Sequence, residues 1–182
     1  TQATKEKPAF EYRDLFWTCT FDEVISAKMR LNGSVISGEN GRMISDAYGN
    51  GLEYAGDHFV HTFHYLVPPE EYFEEHPEYY SEIDGKRTSE YLYSQLCLTN
   101  PDVLQITIDK VREWLRANPN AKIVSVSQDD SYVINSFCTC EECSEVNKEE
   151  RSNSGTLIRF VNAVADAIKD EFPDVAVDTL AY

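Results

Sequence analysis

The sequence predicts an α/β protein of the TIM-type (β/α)-barrel class, incomplete because its 182 residues hold only about five of the eight strands. Strand-like segments alternate with helical segments along the chain, which is typical of βα units and a parallel sheet. The glycine-rich phosphate motifs GxGxxG and GxxxxGKS/T, which often mark doubly wound folds, do not occur. We expect residues 1–9 to be a linker or cut terminus and residues 10–182 to form the domain.

The first half of the chain predicts several short elements around a long loop. Asn32-Gly33 ends the first helix, Pro68-Pro69 closes a strand, and five of the eight glycines lie in the loop. We predict a strand over residues 10–18, a helix over 22–31 and a brief strand over 34–37. The long loop then spans residues 38–57, followed by a strand over 58–67 and an acidic segment with a short helix over 70–80.

The second half carries the clearest helix and strand signals. Asn100-Pro101-Asp102 combines a capping residue, a proline at the first helical position and an acid in the first turn, so a helix begins there and runs to about Ala117. Residues 121–127 form an apolar strand, residues 154–172 form a helix with one apolar face, and residues 175–182 form the last strand.

The formal net charge of −16 excludes several classes of partner. A field of that sign repels nucleic acids and anionic lipids. No apolar run approaches the roughly 20 residues that a membrane span needs. A half-open barrel would expose strand edges, so we expect a homodimer formed through them.

Several sequence runs, taken together and in order, resemble one bacterial family, the domain of unknown function numbered 4838, from Pro8 to Tyr182. They are PAFEYRD, RLNG, HTFHYLVPPEEYFEEHPEYY, DGKR, QLCLTNP, SVSQDD, CTCEEC, SGTLIRFVNAVADAI and DTLAY. That family is similar to the barrel of alpha-glucuronidases and beta-hexosaminidases. The resemblance implies a glycoside hydrolase-like domain that acts on a glycan, such as one with a uronic acid or an N-acetylated sugar. A non-catalytic carbohydrate-binding or scaffold domain and a structural zinc or thiol module stay open as alternatives.

The carboxylates nearest to a predicted strand end are the candidate catalytic groups. Gln128, Asp129 and Asp130 directly follow the strand at 121–127, and active sites of barrels lie at the carboxyl ends of strands. Glycoside hydrolysis needs two carboxyl groups, so Asp130 and Asp129 are candidate catalytic residues and Gln128 a substrate contact. The related hexosaminidases have an Asp-Glu pair here, whereas this chain has Asp-Asp, and one aspartate is expected to cap the following turn.

Three further residues are candidate substrate contacts. His61 and His64 lie three apart, which places them on opposite faces of a strand, and His64 is nearer the strand's carboxyl end. Asp84-Gly85-Lys86-Arg87 is typical of a hairpin turn, and Arg87 could bind a uronate carboxylate through two hydrogen bonds; the alternative is a solvated turn. Asp14 would orient a sugar if its strand ends early, and otherwise forms a surface ion pair.

Four of the five cysteines form a candidate metal site. Cys138, Cys140 and Cys143 lie within six residues, and Cys97 is a possible fourth ligand of a structural zinc. Reduced thiols that stabilise the loop, or a Cys138–Cys143 disulfide, are the alternatives. Cys19 is expected to be a buried apolar residue. The expected glycan chemistry requires no cofactor.

Overall fold

The structure is a computed structural model that describes residues 7–33, 44–49 and 51–181 and divides the chain into two compact units, residues 1–53 and 54–182. The described residues form six α-helices and four short strands. The helices are α1 (Glu23–Lys28), α2 (Phe63–Leu66), α3 (Pro69–Tyr72), α4 (Pro101–Ala117), α5 (Glu141–Glu150) and α6 (Gly155–Ile168). The strands are β1 (Glu82–Ile83), β2 (Lys86–Arg87), β3 (Ile123–Ser125) and β4 (Ala176–Asp178). No described helix is long and apolar enough to cross a membrane.

The first unit contains the predicted helix but not the predicted strand. The Asp22 side chain accepts a hydrogen bond from the Ile25 N–H and so caps α1, which confirms the helix in a shorter form. The strand predicted over residues 10–18 is wrong, because this segment forms no strand, and side chains bind its Phe10 and Glu11 carbonyl oxygens. The Arg13 guanidinium donates to the carbonyl oxygens of Phe10 and Arg30. The strand expected at 34–37 lies outside the described residues.

The core of the second unit is built on the two long helices and the parallel strands. The apolar stripes of α4 and α6 are buried, and β3 is buried along its whole length. The largest fully buried apolar side chains are Phe63, Leu66, Ile168, Val67, Val103, Val111, Val124, Val126 and Val164. The predicted helices at 100–117 and 154–172 and the predicted strand at 121–127 are therefore confirmed, with shorter bounds for the last two.

The α4 helix begins as the sequence predicts, and the capping residue can be tested. The Asn100 side chain accepts hydrogen bonds from the backbone N–H groups of Asp102 and Val103. Asn100→Ala should lower the free energy of unfolding by about 1 kcal/mol, because the substitution leaves these donors without their partner. Urea unfolding measures the loss. The control is Asn162→Ala on the exposed side of α6, which should change little; an equal effect of both substitutions would contradict the capping role.

The predicted barrel, with about five of its eight strands, is wrong for the described residues. There β3 pairs in parallel with β4, and a single parallel bridge joins Tyr54 to Ile123. The hairpin of β1 and β2 forms a separate two-stranded sheet. Two short sheets cannot close into a barrel.

The strand predicted over residues 58–67 is wrong because part of this segment is helical. Phe63 and Leu66 lie three positions apart, which places both side chains on the buried face of α2. His61 has a φ of 55°, which breaks the extended backbone just before the helix. The histidines of this segment therefore belong to a loop and a short helix.

The predicted hairpin turn is confirmed. Asp84 and Gly85, the two residues between β1 and β2, have φ values of 52° and 73°. Positive φ at both central positions is the geometry of a type I′ turn, which suits the twist of an antiparallel pair and favours the Asp-Gly sequence. This hairpin brings Glu82 and Arg87 opposite each other.

Candidate metal centre and ligand cavity

Four cysteines from three segments of the second unit meet in one buried cluster. Cys97 follows Leu96, and its N–H donates to the carbonyl oxygen of Tyr79. Cys138 lies in the segment after β3, Cys140 directly precedes α5, and Cys143 lies in the first turn of that helix. A loop was expected for Cys138, Cys140 and Cys143, and α5 was not predicted. The cluster of Cys97, Cys138, Cys140 and Cys143 is called the thiol cluster below.

The distances within the thiol cluster suit a metal ion. All four Sγ atoms lie within 4.8 Å of one another, and each cysteine is at most 4% exposed. The Sγ of Cys97 is 3.7 Å from that of Cys140 and 3.8 Å from that of Cys143. Sulfurs at the corners of a tetrahedron around Zn²⁺, with Zn–S bonds of about 2.3 Å, are about 3.8 Å apart. A disulfide needs about 2.05 Å, so the described cysteines are free thiols.

Hydrogen-bond donors surround the thiol cluster. The backbone N–H of Glu82 donates to the Cys138 Sγ at 3.2 Å, and the Arg87 Nη1 lies 3.4 Å from the same sulfur. The Thr99 hydroxyl is 3.1 Å from the Cys143 Sγ. The partial positive charge at the start of α5 adds to these donors. Such groups stabilise thiolates and orient them as metal ligands.

The thiols of the cluster affect each other's protonation. Hydrogen bonds from Cys138 and Cys143 lower the pKa of the Cys97 thiol. The hydrogen bonds with Cys138 and Cys97, together with burial, raise the pKa of the Cys143 thiol. Four buried thiols this close cannot all become anionic without a compensating cation. A divalent cation would supply that charge and release the protons.

Arg87, expected to contact a substrate, and Cys19, expected to be buried, both have other surroundings in the structure. The Arg87 guanidinium donates to the Tyr80 carbonyl oxygen and to Cys138, and it forms an ion pair with Glu82. The structure thus places Arg87 beside the thiol cluster, where its positive charge would stabilise thiolates. Cys19 is exposed in the first unit, so the expectation that it is buried is wrong.

His64 and Asp129 form a hydrogen-bonded pair beside a cavity of about 150 Å³. The His64 Nδ1 lies 2.7 Å from the Asp129 Oδ1, and Asp129 is 6% exposed. This distance places the His64 Nδ1 in hydrogen-bond contact with the Asp129 carboxyl group. The His64 Nε2 makes no hydrogen bond to any described residue and is available to a ligand. We refer to this space as the His64 cavity.

Gln95 and Glu70, which were not predicted from the sequence, also line the His64 cavity. The Gln95 side chain accepts from the backbone N–H of Asp129 and donates to its carbonyl oxygen, both at 2.9 Å. Glu70 lines the cavity together with Tyr91 and Tyr80. Gln95 lies two residues before Cys97, and that proximity to a candidate ligand is the only sequence signal that could have indicated it.

The other predicted site residues do not line the His64 cavity. Gln128 and Asp130 border a neighbouring cavity of about 310 Å³, so the adjacent Asp129 and Asp130 line different cavities. The Asp130 carboxylate accepts from the N–H of the next residue, Ser131. The Gln128 carbonyl oxygen lies 2.9 Å from the His61 Nδ1. Asp14 belongs to the first unit and accepts from the Tyr12 hydroxyl.

Gln95 should be needed to hold Asp129 in place. Gln95→Ala removes two buried hydrogen bonds and should lower the free energy of unfolding by about 2 kcal/mol. It should also shift the ¹⁵N resonances of the His64 ring, because Asp129 would no longer be held against Nδ1. Chemical denaturation and NMR measure the two effects. The control is Gln105→Ala on the exposed face of α4, and unchanged His64 resonances in Gln95→Ala would refute the positioning role.

Comparison with known proteins places the chain in a family. The family model described as "Domain of unknown function (DUF4838)" matches residues 1–182. No curated protein and no solved structure matches the chain. The likeness to alpha-glucuronidases and beta-hexosaminidases stays a prediction. Because the family model covers the whole sequence, the chain belongs to the DUF4838 family.

Proposed function

We propose that this chain is a zinc-stabilised domain, in which the thiol cluster holds one structural Zn²⁺ ion. The observation that carries the proposal is the meeting of four buried Sγ atoms within 4.8 Å. Four thiolates are a common ligand set of structural zinc sites. Four protein ligands also leave no open position for a substrate, which is why a structural rather than a catalytic ion is proposed.

The charges around the thiol cluster support zinc over the two alternatives. Four thiolates and one Zn²⁺ carry a net charge of −2, and the Arg87 guanidinium and the Glu82 N–H lie where they offset part of it. Reduced thiols would not need these donors. A Cys138–Cys143 disulfide would require the sulfurs to move into bonding distance and would leave Cys97 and Cys140 unpaired.

Metal analysis of the full chain tests the zinc proposal. Protein purified without chelators should contain one zinc per chain by elemental mass spectrometry. Replacement of zinc by Co²⁺ should give the intense visible absorption of a tetrahedral thiolate complex, which separates this site from adventitious binding by surface carboxylates. Protein that is fully folded, has four titratable thiols in the cluster and contains no metal would refute the proposal.

We further propose a carbohydrate-binding function for the His64 cavity. The observation that favours it is that the hydrogen-bonded His64–Asp129 pair lines the same cavity as the exposed Tyr91. Sugars are bound by planar polar groups that exchange hydrogen bonds with hydroxyls and by aromatic rings that pack on their apolar faces. Asp129 is already engaged by His64, so orientation of a ligand suits it better than proton transfer to a glycosidic oxygen.

A glycan array with the full chain tests the carbohydrate proposal. Binding to a defined set of glycans, with chemical-shift changes at His64 and Tyr91 when the bound sugar is added in solution, is the expected result. Aryl glycosides should stay intact, because Asp129 is engaged by His64 and is therefore not free to transfer a proton to a glycosidic oxygen. Absence of binding to every glycan would refute this function and leave the zinc proposal untouched.

A further inference from the structure

Apart from His64, the charged side chains that line the His64 cavity are acidic. Glu70 and Asp129 contribute carboxylates, and no lysine or arginine is present among the described residues that border the cavity. If His64 is protonated, Asp129 balances its charge at 2.7 Å. The cavity then carries a charge of about −1 from Glu70, and about −2 if His64 is neutral.

Burial and, after it, the acidic neighbours raise the pKa of both tyrosines that line the cavity. Burial raises the pKa of Tyr91, and the Asp129 charge raises it further. Burial also raises the pKa of Tyr80, and the Glu70 charge is the next cause. A negative potential disfavours every added negative charge, whether it is a tyrosinate or part of a ligand.

Arg87, two residues before the lining residue Ser89, does not line the cavity. Arg87 is directed at the thiol cluster and engages the Tyr80 carbonyl oxygen, Cys138 and Glu82. A ligand carboxylate in the His64 cavity would therefore lose its hydration without gaining a cationic partner. That cost is large in a partly enclosed site.

We propose that the His64 cavity selects a sugar that carries a protonated amino group and rejects uronic acids, with Glu70 as the residue that sets this preference. The inference rests on the proposed carbohydrate-binding function and defines its substrate class. An ammonium group beside Glu70 replaces water by a charge-assisted hydrogen bond, and the partly exposed Tyr91 lines the same cavity. A volume of about 150 Å³ suits a single sugar ring.

Three sugars of nearly equal size test the proposal: glucosamine, glucose and glucuronate. Their affinities for the full chain are measured by NMR titration at low ionic strength. Glucosamine should bind at least about tenfold more tightly than glucuronate, with glucose between them. Added salt should narrow the difference, since it screens the Glu70 charge.

Two variants assign the preference to one side chain. Glu70→Gln should remove most of the difference between glucosamine and glucuronate. The control is Glu74→Gln, an exposed glutamate of the same segment that does not line the cavity, and it should leave the difference unchanged. Both variants conserve side-chain size and lie on the surface, so both should fold.

The outcomes separate this inference from the function on which it rests. Equal or tighter binding of glucuronate would overturn the charge preference while the carbohydrate-binding function stands. A preference for glucosamine that Glu70→Gln leaves intact would overturn the role of Glu70. Failure of all three sugars, together with a negative glycan array, would refute both proposals.

Discussion

Cys143→Ala is expected to abolish zinc binding and to leave the second unit largely unfolded. Three remaining thiolates cannot complete the tetrahedral site, and binding of a structural zinc supplies about 10 kcal/mol or more of folding free energy in small domains. The whole stability of a typical domain is about 5–15 kcal/mol. Circular dichroism and elemental analysis of the purified variant measure the two losses.

The fifth cysteine provides a matched control for Cys143→Ala. Cys19 is exposed and lies in the first unit, so Cys19→Ser should keep one zinc per chain and the wild-type thermal transition. A strong chelator added to wild-type protein should reproduce the unfolding of Cys143→Ala, and added zinc should reverse it. A folded Cys143→Ala variant that still binds stoichiometric zinc would show that the thiol cluster is not the metal site.

Asp129→Asn is expected to weaken sugar binding by about 10- to 100-fold. The substitution keeps the size of the side chain but replaces a charge-assisted hydrogen bond to the His64 Nδ1, worth about 1.5–3 kcal/mol, by a neutral one. His64 would then be held less firmly, and its Nε2 would no longer be presented in one orientation. Isothermal titration with the best glycan from the array measures the change.

The adjacent aspartate is the control for Asp129→Asn. Asp130→Asn makes the same chemical change one residue later, but that side chain accepts from the Ser131 N–H and lines the other cavity. Binding should change less than about twofold, in keeping with the small effects of surface substitutions. Equal losses in both variants would place the ligand across both cavities and contradict the assignment to the His64 cavity.

Local signals in the sequence were sufficient for several elements and for part of the metal site. The Asn100-Pro101-Asp102 start of α4 and the Asp84-Gly85 turn depend on contacts between residues a few positions apart, so the sequence alone predicts them. The spacing of Cys138, Cys140 and Cys143 can likewise be recognised from residues close together in the sequence. The three thiols lie within six residues at the start of α5, so they are close to one another in sequence as well as in space.

Strands and long-range pairs depended on the tertiary structure. The aromatic segments at 10–18 and 58–67 have the composition of strands, but a strand exists only where a neighbouring chain pairs with it. For residues 58–67 the burial of Phe63 and Leu66 on one face stabilised a helix instead. The barrel prediction was wrong because it relied on strand composition without knowledge of pairing.

The sequence by itself determined the ligand types, the acidic charge and the capped helices of this chain, since these follow from composition and from neighbours in sequence. Only the tertiary structure decided that Cys97 joins the other three thiols, that Arg87 lies beside them and that His64 meets Asp129. The physical reason is that the role of a charged or polar side chain is set by its nearest partners in space. Those partners are brought together by the packing of distant segments.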